Sequence, residues 1–253
     1  MNAIHRREKI LSYMETNQNV YITELAKNLQ VSAMTIRRDL IRLAEIGIVT
    51  LLRGGAALNR GAGFEYSNRF RKKQFPEEKY RIAAYCADLV TEGSSVFIDC
   101  GTTPEKIAEL LLPKKNIIVL THSLPAANIL SAAKDLKLIM VPGIFAEKPR
   151  GFMGQMTSDF VRRFKIDILF LGTNGIDLIH GATTPDLIDA ETKQSIVQQA
   201  DKVIVATDHT KLGQSFFLTI APLKDIDLIV TDKIANPQIV QELRKAGTEI
   251  VLV

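Results

Sequence analysis

Two cysteines in 253 residues, Cys86 and Cys100, are too few for a disulfide framework, and a reducing cytoplasm is the expected setting. No run of eighteen apolar residues occurs, so the sequence offers no segment able to span a membrane as a helix. The opening MNAIHRREKI is charged where a secretory leader needs an apolar stretch. Nucleotide fingerprints are missing too: GAGFEY lacks the third glycine and follows no strand-like run, and no G-x-x-x-x-G-K-S/T occurs. The four His and two Cys fall in no metal-ligand spacing, so neither a metal nor a cofactor is expected. What is present is 46% hydrophobic and 24% charged residues, the make-up of an ordinary globular chain with one large domain or a small one joined to a medium one.

The net charge of +4 is unevenly spread. Residues 1–81 hold 15 Lys and Arg against 8 Asp and Glu, whereas residues 82–253 hold 17 against 20. A basic first third attached to a slightly acidic body points to a polyanion-binding module carried by a domain with another task.

Three helical patterns fill that first third. AIHRREKILSYMET sets Ile4, Ile10, Leu11 and Met14 on a rough apolar stripe, and TELAKNL follows with Thr23 as its expected N-cap. After the short QVS connection, Ser32 caps a third helix running to about Glu45, with Gly47 at its expected end. On this helix Ile36, Leu40 and Leu43 recur at i, i+4 and i+7 and face inward. Met34 and Arg38 then fall on the opposite side, flanked by Thr35 and Arg37. IVTLLRGGAAL reads as two β segments folded about Gly54-Gly55, with Arg53 at the tip.

Paired arginines on a helix are commonly solvated decoration, and a Gly-Gly pair alone says only "turn". The full order of helix, helix, turn, Arg-bearing helix and Gly-Gly hairpin is that of a winged helix-turn-helix. Its second helix enters the major groove while the hairpin reaches phosphate or the minor groove. The candidate DNA contacts are Ser32, Met34, Thr35, Arg37, Arg38, Arg42 and Arg53.

From about residue 79 strands and helices alternate. Apolar runs at 95–99, 117–121, 137–141, 166–172, 202–207, 227–231 and 249–253 predict seven strands, separated by helical stretches such as PEKIAELL, LPAANILSAA and QIVQELRKAG. This is an α/β domain on a mainly parallel sheet, in which ligands bind beyond the carboxyl ends of the strands. The residues at those ends are Asp99 and Gly101 to Thr103, then His122 and Ser123, Gly143, Asn174 and Gly175, and Asp208 to Lys211. Glycines, hydroxyls and helix starts at one edge suit a phosphate or a polyhydroxylated ligand. Cys100 in the same loop reads as small filler rather than a nucleophile, since no base stands beside it in sequence. Farther on, Asp186 and Asp189 are placed to bond sugar hydroxyls and Lys193 to neutralise a phosphate. The competing reading makes 184–189 a helix N-cap region and leaves Lys193 on a solvated face.

ITELAKNLQVSAMTIRRDLIRLAEIGIVTLLRGGA resembles the winged helix-turn-helix of the DeoR family of bacterial transcription regulators, most specifically in S-x-M-T-I-R-R-D-L. The body resembles that family's effector domain in DCGTT (99–103), THS (121–123), NGID and HGATTPD (174–186), DAETK (189–193) and TDHTKLG (207–213). The resemblance implies a sugar-phosphate sensor similar in fold to ribose-5-phosphate isomerase, with Gly101 to Thr103 as the anion loop aided by Lys193 and Lys211. The sequence departs from the family at Leu51 and Arg53 in the wing, at Cys100 and at Gly143-Ile144.

The expected organisation is a DNA-binding domain over 1–58, a linker over 59–78 and an effector domain over 79–253. The expected function is a cytoplasmic regulator, in the repressor sense, of a sugar-metabolism operon, controlled by a phosphorylated sugar. Its partners would be a double-stranded operator and a second or further copies of the chain, as a homodimer or homotetramer. The rival readings are a sugar-phosphate isomerase with an accessory DNA-binding domain, and a DNA binder with a ligand-free body.

Overall fold

The computed structural model describes residues 3–17, 19–45, 48–59 and 68–253. Gly47, the GAGFEY stretch and the side chain of Ile4 lie outside what is described. The chain divides into two compact units, residues 1–70 and 71–253.

The first unit runs α1 (Ala3–Thr16), β1 (Asn19–Tyr21), α2 (Ile22–Leu29), α3 (Ala33–Glu45), β2 (Val49–Leu52) and β3 (Gly55–Leu58). Ile10 and Met14 of α1, Leu25 of α2, and Ile36, Leu40 and Leu43 of α3 meet Val20, Val49 and Ala56 in one core. Each fully buried aliphatic side chain contributes about 1.5–3 kcal/mol, enough for six such anchors to outweigh weak helix propensity. Two sequence expectations change here. Thr23 is not the cap of α2: the helix begins at Ile22, with Tyr21 in the capping place and no side-chain cap bond. The wing is a three-stranded sheet in the order β1-β3-β2, because Asn19–Tyr21 adds a strand too short to show as an apolar run. Its turn is Arg53-Gly54, with Gly55 already in β3 and opposite Tyr21 and Leu52. A Cβ on Gly55 would lie 2.0 Å from the Val20 carbonyl oxygen, so the close pairing of β1 and β3 requires glycine there.

The stretch expected as linker holds a helix, α4 (Asn68–Lys73), and the start of α5 (Pro76–Asp88). The second unit continues through β4 (Ser95–Ile98), α6 (Thr102–Leu111), β5 (Ile118–Thr121), α7 (Leu124–Leu130), β6 (Lys137–Met140), β7 (Ile144–Ala146), β8 (Gly151–Met153) and α8 (Gln155–Val161). Then come β9 (Ile166–Leu171), β10 (Gly175–Asp177), β11 (Gly181–Thr184), α9 (Leu187–Val197), β12 (Ala200–Ala206), β13 (Leu218–Ala221), β14 (Leu228–Thr231), α10 (Pro237–Lys245) and β15 (Glu249–Leu252).

All seven expected strands join one parallel sheet in the order β15-β14-β12-β9-β4-β5-β6. Alternate residues feed opposite faces. Phe97, Leu169, Val203 and Ile229 pack toward Val161, Ile196, Val240 and Leu243 of α8, α9 and α10. Val96, Ile98, Phe170, Ile204 and Val230 pack toward Ile82, Ile107 and Leu130 of α5, α6 and α7. Two small antiparallel sheets, β7-β8 and β10-β11-β13, are additions that the apolar runs did not announce. Chain order reverses between β4 and β9, which makes this pair the switch point of the doubly wound sheet.

Candidate DNA-binding and effector sites

On α3 the inward stripe is Ile36, Leu40 and Leu43, all buried, and Met34, Arg37 and Arg38 are exposed. Met34 stands 65% exposed. Ser32 caps the helix: its Oγ accepts from the Thr35 N–H at 3.1 Å and lies 2.8 Å from the Thr35 hydroxyl. Arg42 is exposed and paired with Glu45 at 2.7 Å, and Arg53 is exposed in the wing turn. Sequence reasoning passed over Asp39. It is buried, and its carboxylate takes Arg6 of α1 at 2.5 Å and Arg7 at 3.7 Å. The adjacent pair thus points outward while the next residue fastens the recognition helix to α1.

At the β4–β9 switch the buried carboxylate of Asp99 organises the second unit. Oδ1 accepts from the Cys100 N–H at 2.6 Å and from His122 Nε2 at 2.7 Å, and Oδ2 accepts from the Gly172 N–H at 2.8 Å. Lys193 of α9 reaches in, with Nζ 3.0 Å from the Gly172 carbonyl, 3.2 Å from Asp99 and 3.3 Å from Asp189. Asp189 Oδ2 also takes the Thr184 hydroxyl at 2.7 Å, and Thr184 lies 3.2 Å from the Asn174 side-chain oxygen.

Burial alone would push the Asp99 carboxyl up, but Lys193 and His122 hold it below the ordinary carboxylate range. Burial opposes the His122 imidazolium, yet the Cys100 sulfur and the Asp99 carboxylate raise its pKa well above the usual value. Its other nitrogen lies 3.0 Å from the Phe152 carbonyl, so both ring nitrogens face acceptors and the charged form satisfies both. Burial also works against the Lys193 charge, which Asp189 and Asp99 nevertheless hold above the ordinary lysine range. Asp99, Cys100 and His122 bring three possible ligand atoms within 4.8 Å of one another. With three N–H donors already on Asp99 and an ammonium at 3.2 Å, the Asp99 carboxylate is fully engaged and the cluster does not suit a dication.

The other candidates are distributed around this network. Gly101 is the N-cap of α6 at φ +150, a backbone region that favours glycine, and it supplies no side-chain cap. Thr102 and Thr103 begin that helix. Ser123 is buried and caps α7 through the Ala126 N–H, and Gly143 is packed where a Cβ would meet Thr157 at 2.2 Å. Gly175 pairs with Thr183 in the small sheet. Asp186 is exposed and is the N-cap of α9, accepting from the Asp189 N–H at 2.9 Å, as the N-cap reading had it. Lys193 is neither on a solvated face nor open to a ligand in this conformation, because it is 3% exposed with three acceptors around its ammonium. Lys211 lies on the turn after β12, close enough to Lys79 to oppose its charge.

Two family descriptions match this layout. DeoR-like helix-turn-helix domain covers residues 6–61, and DeoR C terminal sensor domain covers residues 74–233. The chain belongs to the DeoR family. It is 33% identical over 232 residues to the glycerol-3-phosphate regulon repressor of Escherichia coli (strain K12), spanning 92% of both chains. To the HTH-type transcriptional regulator IolR of Bacillus subtilis (strain 168) it is 34% identical over 229 residues, spanning 90% of both. A ribose 5-phosphate isomerase A from Methanocaldococcus jannaschii overlaps 54% of this chain and 54% of its own, at 13% identity and a TM-score of 0.40. As a DeoR-family member with full-length kinship to regulators, the chain is a DNA-binding transcriptional repressor and not an enzyme. Among the described residues no helix is long and apolar enough to cross a membrane.

Proposed function

We propose that this repressor controls a carbohydrate-metabolism operon and that a phosphorylated sugar, bound at the β4–β9 switch, sets its operator affinity. The observation that carries the reading is the pairing of two opposite needs at one place. α6 starts on Gly101 without a side-chain cap, a natural seat for a phosphate. Beside it Asp189 keeps Oδ1 buried without a hydrogen-bond partner. A buried carboxylate oxygen left unpaired costs about 1–3 kcal/mol or more, and a sugar hydroxyl would satisfy it. Asp99 and Lys193 are positioning groups in this reading: they hold Asp189 and the Gly172 corner in place. Lys211, on the turn after β12, would add positive charge toward the anion. Names of relatives such as the glycerol-3-phosphate regulon repressor agree with a phosphorylated polyol or sugar as the class of effector.

On the DNA side, Met34, Arg37, Arg38 and Arg53 would meet the duplex, with Ser32 and Thr35 shaping the helix start and Arg42 joining once freed from Glu45. One such module covers one half-site, so the working repressor is at least a homodimer, with a tetramer as the larger form.

Calorimetry with glycerol 3-phosphate, ribose 5-phosphate and fructose 6-phosphate, each beside its unphosphorylated parent, tests the effector reading. At least one phosphate ester should bind and its parent should bind far more weakly. Lys211→Ala should weaken that binding by about tenfold or more, the scale of one charge-assisted hydrogen bond. Equal binding of ester and parent, or undiminished binding by the variant, would remove the basis for the phosphate seat.

A further inference from the structure

The sheet edge that holds the effector network also holds the elbow between α4 and α5. Lys79 of α5 is 3% exposed, and its ammonium donates to the carbonyls of Arg71 and Gln74 at the end of α4, 2.5 and 2.7 Å away. The same ammonium lies 3.8 Å from Asp208, two residues beyond β12. Phe75, at φ +49 between the helices, sets its ring edge-on to His209 at 4.7 Å. His209 is held in turn by Asp232, just past β14, at 3.0 Å. From the other side Lys72 of α4 pairs at 2.5 Å with Glu105, which is in the first turn of α6. Glu105 is 5% exposed, and its second oxygen has no partner.

We infer that this elbow is the element through which the effector site and the DNA-binding unit sense each other, with Lys72–Glu105 as its variable contact. The inference rests on the proposed anion at the start of α6. Glu105 occupies the helix turn that a phosphate would approach. A second negative charge there raises the cost of the Glu105 carboxylate, which already has an unmet oxygen. Lys72 is 54% exposed at its side chain, free to follow whichever arrangement of charge is better. Lys79 responds in the same sense. Burial is the main cause that lowers its pKa to about 8, with Lys211 and Arg71 adding to the effect against the pull of Asp208. An anion drawn to Lys211 offsets part of that opposition and tightens the grip of Lys79 on α4. Both fasteners of α4 therefore feel the same ligand. Helix α4 itself carries the boundary, with residue 70 the last of the first unit and residue 71 the first of the second.

A merely structural fastener would hold α4 without transmitting anything, and the two roles separate by experiment. Hydrogen exchange read by mass spectrometry is measured on the full chain, alone, with each of the three phosphate esters, and with a duplex selected in vitro by the same protein. In the wild type the binding ester should slow exchange at 99–105 and change it at 68–75. By the reciprocity of coupling, DNA should change it at 99–105. Lys72→Met, at an exposed position, and Glu105→Gln should keep ester protection at 99–103 and lose both distant responses. Their operator affinity should respond to the ester less than twofold, where the wild type responds about tenfold, within the range of ordinary allosteric coupling. If both variants keep the distant responses, or the wild type shows no DNA response at 99–105, the inference is overturned. If no ester protects 99–103 while the DNA response is present in the wild type and lost in the variants, the effector reading fails and the elbow stands.

Discussion

An ammonium group buried as deeply as that of Lys193 needs its charge met on every side, and Asp99, Asp189 and the Gly172 carbonyl do so. Removing it would leave two buried carboxylates facing each other. Lys193→Ala should therefore cost about 3–5 kcal/mol, the usual penalty for breaking a buried pair, seen as a lower urea midpoint. A wild-type midpoint would show the network to be slack. His122 makes a pH prediction with a definite sign. Its folded pKa is raised above the ordinary 6.5, so its contribution is complete below that value and is lost as pH rises through the folded pKa. The difference in melting temperature between wild type and His122→Asn should thus shrink as pH climbs from about 6 toward 9. A difference that grows with pH would mean the imidazole is neutral in the fold.

At the scale of the element, α3 has its faces cleanly divided, so Arg38→Ala should act on DNA and not on folding. Operator binding measured across a salt series should lose about one unit of slope if Arg38 meets phosphate, or about 1–3 kcal/mol if it meets a base. Unchanged affinity at every salt concentration would take Arg38 off the groove. The helices of this unit were legible from their apolar stripes, rough on α1 and sharper on α3, and the seven central strands because both faces are buried and the sequence runs apolar. β1, β7 and β10 have three residues each and no such run, so only pairing with a neighbour defines them. The basic stretch NRFRKK reads as linker until Lys79 and Glu105 are seen to hold it. The residues at the strand ends were visible because parallel topology fixes where a ligand goes. Which of them face one another was not: Asp99 and Lys193 meet only through folding, and Asp39 and Glu105 are charged residues in buried places whose partners lie 33 positions away. Charge type alone suggests a solvated face for such residues.

For the whole molecule, a single recognition helix is short of the contact that specific operator binding needs, and the protein should sediment as a dimer or larger at micromolar concentration. A monomer with and without DNA would count against the paired half-site. The strand order has a further consequence, during synthesis. The middle of the sheet joins β4 to β9, where Ser95 bonds Asp167 across 72 positions. Until about two-thirds of the chain has left the ribosome, β4 has no partner on that side. Residues 1–70, with their own core, emerge much earlier. Translation at about 5–20 residues per second leaves an interval of some seconds in which the first unit is complete and the central sheet of the second is not. A message broken before β9 would then yield fragments with a finished first unit and a sheet left open at its middle strand.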